Sequence, residues 1–212
     1  MTTAIQEKKG MTADEYLKME RSGLREKDGK HEFFNHKLIF MAGASQKHNL
    51  IVSNLVITIG VQIRQSRPDC SIYNQDMRTI SHIPGKNYFY PDVEVVVGKS
   101  FFDDENQDIL VNPTLIIEVL SDSTEKFDRG DKFKSFRNIA TFREYILVSQ
   151  EGLCLEQFYK NDKGTWEICE IVTTGSLKLK SLPFELAIED VYFQVDFSPQ
   201  ITPETTWLEM PK

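Results

Sequence analysis

The pattern of apolar and polar residues near the start of the chain predicts a helix and then a hairpin. Thr12 and Glu15 have the spacing of a capping box, and apolar residues at helical spacing follow to about Arg21. Residues 31–41, HEFFNHKLIFM, form two apolar arms around the Asn-His pair at 35–36. Because Asn tolerates the left-handed conformation that tight turns need, this segment is expected to be a β-hairpin.

Residues 46–65 carry two conflicting signals. Apolar residues at alternate positions from Ile51 to Ile63 are typical of a strand. A run of twenty residues is long for a strand, however, and Ser45 with its polar neighbours suits the start of a helix. The pattern alone leaves both structures open.

The second half of the chain alternates between predicted strands and predicted helices. Three extended runs cover about 71–80, 88–97 and 114–120. Asp128 is expected to cap a helix whose apolar face carries Phe133 and Phe136. A strand over 144–148 and a hairpin from Leu153 onward follow. Strands with intervening helices predict a mixed α/β sandwich.

Composition predicts one globular domain in the cytoplasm. The chain has 212 residues, of which 40% are hydrophobic, which is enough to fill a core. The expected division is a flexible lead at 1–10, one domain at 11–195 and a tail at 196–212. No stretch reads as a secretory signal or a membrane span, so no membrane partner is expected.

Several kinds of site are disfavoured by what the sequence contains. Its 3 cysteines are an odd number without a CxxC pair, which argues against a disulfide framework or a structural zinc site. No glycine-rich phosphate loop occurs, so no nucleotide cofactor is expected. The net charge of −7 disfavours tight binding of DNA without assistance, but it is compatible with metal ions that bridge carboxylates to phosphate.

Carboxylates inside apolar strands are the most informative feature. Glu118 lies in the middle of LIIEVL, and Asp92 and Glu94 share one face of the preceding run. Isolated ionised carboxylates in an apolar layer cost several kcal/mol, so they must be paired, protonated or bound to metal. If the two strands are neighbours, Asp92 and Glu118 converge on a site that suits Mg²⁺. The open alternative is that each reaches solvent or pairs with Lys or Arg.

Basic residues and one histidine could complete such a site. Lys132 precedes Phe136 by one turn, which allows its amine to reach over the sheet edge, although an ordinary solvated lysine is the simpler interpretation. Lys134 is expected to point away. Together with Arg129, Lys132 and Arg137, it forms a local basic cluster that nearby acids nearly cancel. His48 lies near the start of the ambiguous segment, where it could face the site, although a surface or capping histidine is the simpler interpretation.

The segment LIIEVLSDSTEKFDRGDKFKSFRNIATFREYILV resembles the signature of the Uma-two family, a branch of the PD-(D/E)XK, restriction-endonuclease-like superfamily. YPDVEVVVG, HEFFNHKLIFM, MTADEYLKM and SLKLKSLPFELAIEDVY are similar to further family segments. The resemblance spans about Met11 to Phe193. It implies a central mixed β-sheet flanked by helices, with an N-terminal helix and hairpin and a C-terminal hairpin. It also implies that 46–65 is a helix.

The resemblance implies a set of catalytic residues. Asp92 and Glu118 would be metal ligands for Mg²⁺, with Mn²⁺ as a substitute. Lys132 would be the active-site lysine, moved from strand to helix, because Leu120 occupies the place of the usual lysine. Glu32 matches an early glutamate that lies near the site. The chain departs from the family pattern at positions outside the metal shell, namely His36, Thr141, Phe142 and Ser149.

The function implied is Mg²⁺-dependent hydrolysis of DNA phosphodiester bonds by a cytoplasmic endonuclease. Cutting both strands of a duplex is most simply done by a two-fold dimer, so a homodimer is expected. One alternative is a catalytically silent binding or scaffold protein that keeps the nuclease fold. A glycosidase with two carboxylates is weaker, because it gives no role to a lysine or a metal.

Overall fold

The computed structural model describes residues 10–22, 29–41, 43–82 and 85–198 of the chain. Most of the expected lead at 1–10 and tail at 196–212 lies outside these ranges, so the domain division stays a prediction. Within them, two β-sheets and a long helix form the frame that positions the functional residues.

The secondary structure consists of short helices, one long helix and mostly short strands. The helices are α1 (Ala13–Arg21), α2 (Gln46–Ser66), α3 (Glu125–Phe127), α4 (Phe133–Phe136) and α5 (Ile188–Val191), with a π-helical turn at Asp128–Lys132 between α3 and α4. The strands are β1 (His31–Phe34), β2 (Lys37–Phe40), β3 (Cys70–Asn74), β4 (Arg78–Ser81), β5 (Asn87–Phe89), β6 (Val93–Val97), β7 (Ile109–Leu110), β8 (Leu115–Leu120), β9 (Glu144–Ser149), β10 (Leu155–Lys160), β11 (Trp166–Val172), β12 (Ser176–Lys178) and β13 (Glu185–Ala187).

A mixed six-stranded sheet has the strand order β11-β10-β9-β8-β6-β3. Strands β8 and β9 are parallel, whereas the other neighbours are antiparallel. A parallel pair needs a crossover connection, which the helical segment from α3 to α4 supplies. A five-stranded sheet has the order β2-β1-β5-β4-β7, and β12 pairs with β13. The mixed α/β class is confirmed.

Helices cover both faces of the six-stranded sheet, as the alternation in β8 requires. Ile117 and Val119 join the apolar cluster that contains the buried face of α2. Ile116 and Leu120 join an aromatic cluster with Phe133 of α4. This division of β8 between two apolar layers confirms the predicted faces.

The segment 46–65 is helical, so the strand reading of its alternation is wrong and the helix implied by the family resemblance is confirmed. Ile51, Leu55 and Ile59 are fully buried at a spacing of four residues. Ile57 and Val61 are instead 64% and 46% exposed. The alternating pattern arose because apolar residues also occupy the solvent side of the helix, so it did not mark a strand face.

Two predicted extended runs are each split between the two sheets. The run at 71–80 divides into β3 and β4, and the run at 88–97 divides into β5 and β6. The prediction of continuous strands was therefore wrong. Pro91 lies in the second break and has no backbone N–H to donate, so ladder pairing cannot pass through it unchanged.

Other local predictions have mixed outcomes. The hairpin at 31–41 is confirmed, with φ of 49° at Asn35 and 62° at His36. His36 therefore adopts the left-handed conformation that the turn requires, which glycine would adopt without a steric cost. The expected cap at Asp128 is wrong, because α3 already begins at Glu125 and Asp128 lies inside the helical segment. Among the described helices, none has the length and apolar character to cross a bilayer.

Candidate active site

The predicted site residues come together between the two sheets. Glu32 lies on β1 of the five-stranded sheet, and Glu118 lies on β8 of the six-stranded sheet. Lys132 lies in the π-helical turn, and its Nζ is 2.8 Å from Glu32 Oε1 and 2.9 Å from Glu118 Oε1. One buried ammonium group thus contacts carboxylates from both sheets.

Asp92 lies beside Glu118, as the strand argument predicted. Pairing of β6 with β8 sets Val93 opposite Ile117, so Asp92, which directly precedes β6, falls next to Glu118. The Val119 backbone N–H donates to Asp92 Oδ2 at 2.8 Å, and the Asp92 N–H lies 3.4 Å from Glu118 Oε2. Both carboxylates are fixed by backbone groups of the neighbouring strand.

Aromatic packing places Lys132 against the sheets. Phe133 stacks on Tyr145 of β9 with ring centroids 4.6 Å apart, and Phe136 packs edge-on against Phe89 at 5.1 Å. The Tyr145 hydroxyl donates to the Asp128 carbonyl oxygen at 3.0 Å. These contacts turn Lys132 inward, where only 4% of it is exposed. The interpretation of Lys132 as a solvated helix lysine is wrong.

Asp128 is a member of the cluster that sequence reasoning missed. Its Oδ1 lies 3.5 Å from Lys132 Nζ, and the residue is 4% exposed. The spacing of four residues between Asp128 and Lys132 was the available signal, since such pairs share a helix face. That signal was assigned to helix capping instead.

His48 faces the site from the first turn of α2. Ser45 accepts a hydrogen bond from the His48 backbone N–H at 3.0 Å, so the helix start fixes the position of the imidazole. His48 Nε2 lies 3.1 Å from Asp92 Oδ2. Burial alone would lower the pKa of His48, but the hydrogen bond to Asp92 and its charge outweigh burial and raise it. His48 therefore faces the site, and its simpler interpretation as a surface or capping histidine is wrong.

Glu94 shares a face with Asp92 but has a different environment. It is fully buried, and Thr79 on β4 donates its hydroxyl to Glu94 Oε2. Burial raises the pKa of Glu94 to about 8, so the carboxyl group is mostly protonated near neutral pH. Of the two carboxyl groups singled out in this run, Asp92 lies beside Glu118, whereas Glu94 bonds to Thr79.

The cluster has an excess of negative charge. Burial raises the pKa of Glu118 well above its ordinary value, and the neighbouring carboxylates add to that rise while Lys132 opposes it. Burial would lower the pKa of Lys132, but the surrounding carboxylates outweigh it and hold that pKa well above the ordinary value. Three buried carboxyl groups, those of Glu32, Glu118 and Asp128, therefore lie within 3.5 Å of one charged lysine, and Asp92 adjoins Glu118.

These residues fit a Mg²⁺ ion that keeps most of its water ligands. No group of three His, Cys, Asp or Glu side chains around one metal position occurs in the described ranges. Mg²⁺ is commonly bound by one or two carboxylates, which Asp92 and Glu118 supply. Glu118 Oε1 contacts Lys132 Nζ at 2.9 Å, and oxygens of Glu32 and Asp128 lie within 3.5 Å of the same ammonium. A single lysine among several buried carboxyl groups leaves oxygen ligands that are compatible with a divalent cation.

A comparison with protein families identifies the family to which the chain belongs. The model of a family described as "Uma2: Putative restriction endonuclease" matches residues 13–191. The chain belongs to the Uma2 family. The resemblance found in the sequence is thereby confirmed.

Two proteins of similar sequence match most of the chain. Two uncharacterised proteins of Synechocystis sp. are 32% and 35% identical to it, over 182 and 162 residues. The alignments cover 86% and 76% of this chain, and 91% and 88% of the relatives.

A solved structure shares the Uma2 fold of this chain. It is described as "a putative nuclease belonging to DUF820" from Anabaena variabilis. The match has a TM-score of 0.67 at 19% identity and covers 86% of this chain and 98% of that structure. The restriction-endonuclease-like fold expected from the resemblance is confirmed.

Proposed function

We propose that the chain is a Mg²⁺-dependent endonuclease that hydrolyses DNA phosphodiester bonds. The observation that carries this proposal is the contact of Lys132 Nζ with Glu118 Oε1, 2.9 Å apart, next to Asp92. Two adjacent carboxylates and a buried lysine are the groups that metal-assisted phosphoryl chemistry needs. The family description and the description of the similar structure also support a nuclease.

Each residue has a separate role in this proposal. Asp92 and Glu118 hold the metal, and bound Mg²⁺ supplies Lewis acidity toward phosphate and a lowered pKa for its water. Lys132 carries a full positive charge and donates hydrogen bonds where negative charge develops on the phosphate. Glu32 accepts the Tyr90 backbone N–H at 3.0 Å and holds the Lys132 ammonium from the other sheet.

The test is nicking of supercoiled plasmid in Mg²⁺, Mn²⁺ or EDTA. The parent is compared with Asp92→Ala and Lys132→Ala. Lys126→Ala serves as the matched control, because Lys126 is exposed on the same helical segment. Circular dichroism on every variant separates loss of chemistry from loss of fold. We expect metal-dependent nicking by the parent and the control, and loss in the two site variants.

Other outcomes contradict the proposal in distinct ways. Equal nicking by the parent and the folded site variants would assign the activity to a contaminant. Absence of nicking together with absence of Mg²⁺ binding by calorimetry would favour a nuclease-fold scaffold protein.

We further propose that the enzyme acts as a homodimer, because two equivalent sites can cut the two strands of a duplex. Light scattering at the concentration of the cleavage assay should give twice the chain mass of 24.5 kDa. A mass of one chain would contradict this.

A further inference from the structure

A second surface, outside the carboxylate cluster, also has the character of a binding site. An open groove of about 600 Å³ runs between the helical segment and the six-stranded sheet. We call it the basic groove, since its lining includes Lys134, Arg137 and Lys160. Asn35 and Asn138 add amide groups to the same lining. Lys134 follows Lys132 by two residues, so the two side chains point to different sides of the helical segment: Lys132 is buried and Lys134 is exposed.

The structure sorts the basic residues of this region into three kinds. Arg129 is neutralised, because it pairs with Glu125 at 2.7 Å and with Glu156 at 2.5 Å. Lys132 is buried among carboxylates. Lys134 and Arg137, the remaining two, are exposed and point into the groove. The acidic residues expected to cancel this basic cluster therefore neutralise Arg129 and Lys132, but not Lys134 and Arg137.

The basic groove has a net positive charge on a chain whose total charge is −7. Among the described residues, Lys134, Arg137 and Lys160 have no ion-pair partner within 4.0 Å. Asp131 is the one acidic residue in the described lining, so the lining carries an excess of two positive charges. Unpaired cations in a concave surface attract anions and raise their local concentration.

The aromatic residues of the groove favour phosphate recognition over base stacking. The ring of Trp166 packs against Phe142 at 4.9 Å and Phe133 at 5.1 Å, and the ring of Phe34 packs against Phe127 at 5.6 Å. These rings are engaged in the core, whereas platforms for single-stranded bases need a free aromatic face. The side chains of Lys134, Arg137 and Lys160 are therefore the groups that the groove offers to an anion.

We infer that the basic groove binds the phosphate backbone of DNA outside the reacting phosphate, through Lys134, Arg137 and Lys160. The inference rests on the proposed function in one respect, which is that DNA is the substrate. Phosphate contacts of this kind fix register and orientation without reading bases. The groove thus gives an acidic chain a local means of holding a polyanion.

The test is binding of a fluorescein-labelled 30-base-pair DNA duplex, measured by anisotropy in EDTA so that no cleavage occurs. The variant is Lys134→Gln, Arg137→Gln and Lys160→Gln combined. The control is Lys18→Gln, Arg64→Gln and Lys178→Gln combined, which removes the same three charges from exposed positions elsewhere. Thermal melting of each protein checks the fold.

We expect the groove variant to bind at least roughly tenfold more weakly at 50 mM salt, since about three phosphate contacts are lost. The slope of log affinity against log salt should fall in magnitude by about 2 to 3, because each contact contributes about 0.9. The control should bind within about twofold of the parent.

Three results overturn the inference: no binding by the parent at 50 mM salt, unchanged binding by the folded groove variant, or equal weakening in both variants. The result is independent of catalysis. A parent that binds through the groove but nicks no plasmid contradicts only the proposed function. A parent that nicks plasmid while the groove variant binds normally contradicts only the groove.

Discussion

Two buried glutamates on neighbouring strands of the same sheet have opposite surroundings. Glu144 on β9 is fully buried and accepts hydrogen bonds from the Lys180 and Ser181 backbone N–H groups, at 3.0 and 2.8 Å, and from Gln157 Nε2 at 2.6 Å. All three donors are neutral. Glu118 on β8 instead faces a charged lysine at 2.9 Å within a group of further carboxylates.

The difference shows that burial of a carboxylate does not by itself indicate function. Neutral donors that satisfy Glu144 tie the segment after β12 to β9, which is a structural role. Glu118 shares one charged lysine with two other buried carboxyl groups and lies beside a further one, that of Asp92. Such a cluster is costly to keep in a fold unless a cation or substrate completes it.

The largest effect on stability is expected at Glu144, whose hydrogen-bond donors are neutral. Glu144→Ala leaves buried donors without an acceptor, so the free energy of unfolding should fall by about 3–5 kcal/mol. Urea denaturation measures this. Glu156→Ala is the control, because its ion pair with Arg129 is partly exposed and should contribute about 1 kcal/mol or less. A loss below about 1 kcal/mol for Glu144→Ala would remove the contrast between the two glutamates.

At Glu118, which contacts the charged Lys132, a small effect on stability and a large effect on cleavage are expected. Glu118→Gln should change the free energy of unfolding by about 1 kcal/mol or less, because Lys132 keeps Glu32 and Asp128 as partners. Cleavage should fall roughly 100-fold or more, since even residues around the ligands of a metal site contribute about 10- to 100-fold. Plasmid nicking rates under single-turnover conditions measure this. Normal cleavage by a folded Glu118→Gln variant would refute the assigned role.

The stability of the protein should also depend on pH, because Asp128 is buried beside Lys132. Burial raises the pKa of Asp128 from 3.8 to about 6, so the folded state binds more protons than the unfolded state between these values. The free energy of unfolding should therefore fall as pH rises through that window, by at most about 3 kcal/mol. Asp128→Asn should lack this fall. The free energy of unfolding is measured by urea denaturation between pH 4 and 7. The same dependence on pH in parent and variant would contradict the prediction.

The smallest effect is expected at His48, which contacts a proposed ligand and not the metal. His48→Gln should weaken Mg²⁺ binding by roughly tenfold, because the residue orients Asp92 across 3.1 Å. Titration calorimetry measures the affinity. Gln65→Ala, exposed at the far end of α2, is the control and should bind Mg²⁺ as the parent does. Equal affinities in all three proteins would exclude an orienting role.

The sequence predicted those parts of the site that follow from local pattern. Glu118 stood out because an apolar strand contains a charge, and Asp92 because it shares a face with Glu94. Asp128 was assigned to a cap, since a carboxylate near a helix start has the same pattern whether it is exposed or buried. Glu144 was not singled out, because it begins its strand and looks like an ordinary boundary residue.

Errors in the fold have a related cause. Alternation over 46–65 and continuity over 71–80 and 88–97 are properties of single segments, and they do not report which partner covers each face. The exposed Ile57 on α2 completed an alternating pattern that is typical of a strand. At Pro91 the chain passes from one sheet to the other, although the residues on both sides of the break are apolar. The family resemblance corrected the helix because it draws on the whole chain.

The sequence by itself determined the mixed α/β class, the family, and the placement of acids in apolar strands, because these depend on residue order and side-chain periodicity. Only the tertiary structure decided which acids meet a cation, which meet neutral donors and which basic residues stay unpaired. Those distinctions are set by groups far apart in the chain, such as Glu32 and Lys132 at 2.8 Å. Electrostatic energy depends on the distance between charges in space and on their burial, and the spacing of residues along the sequence gives neither.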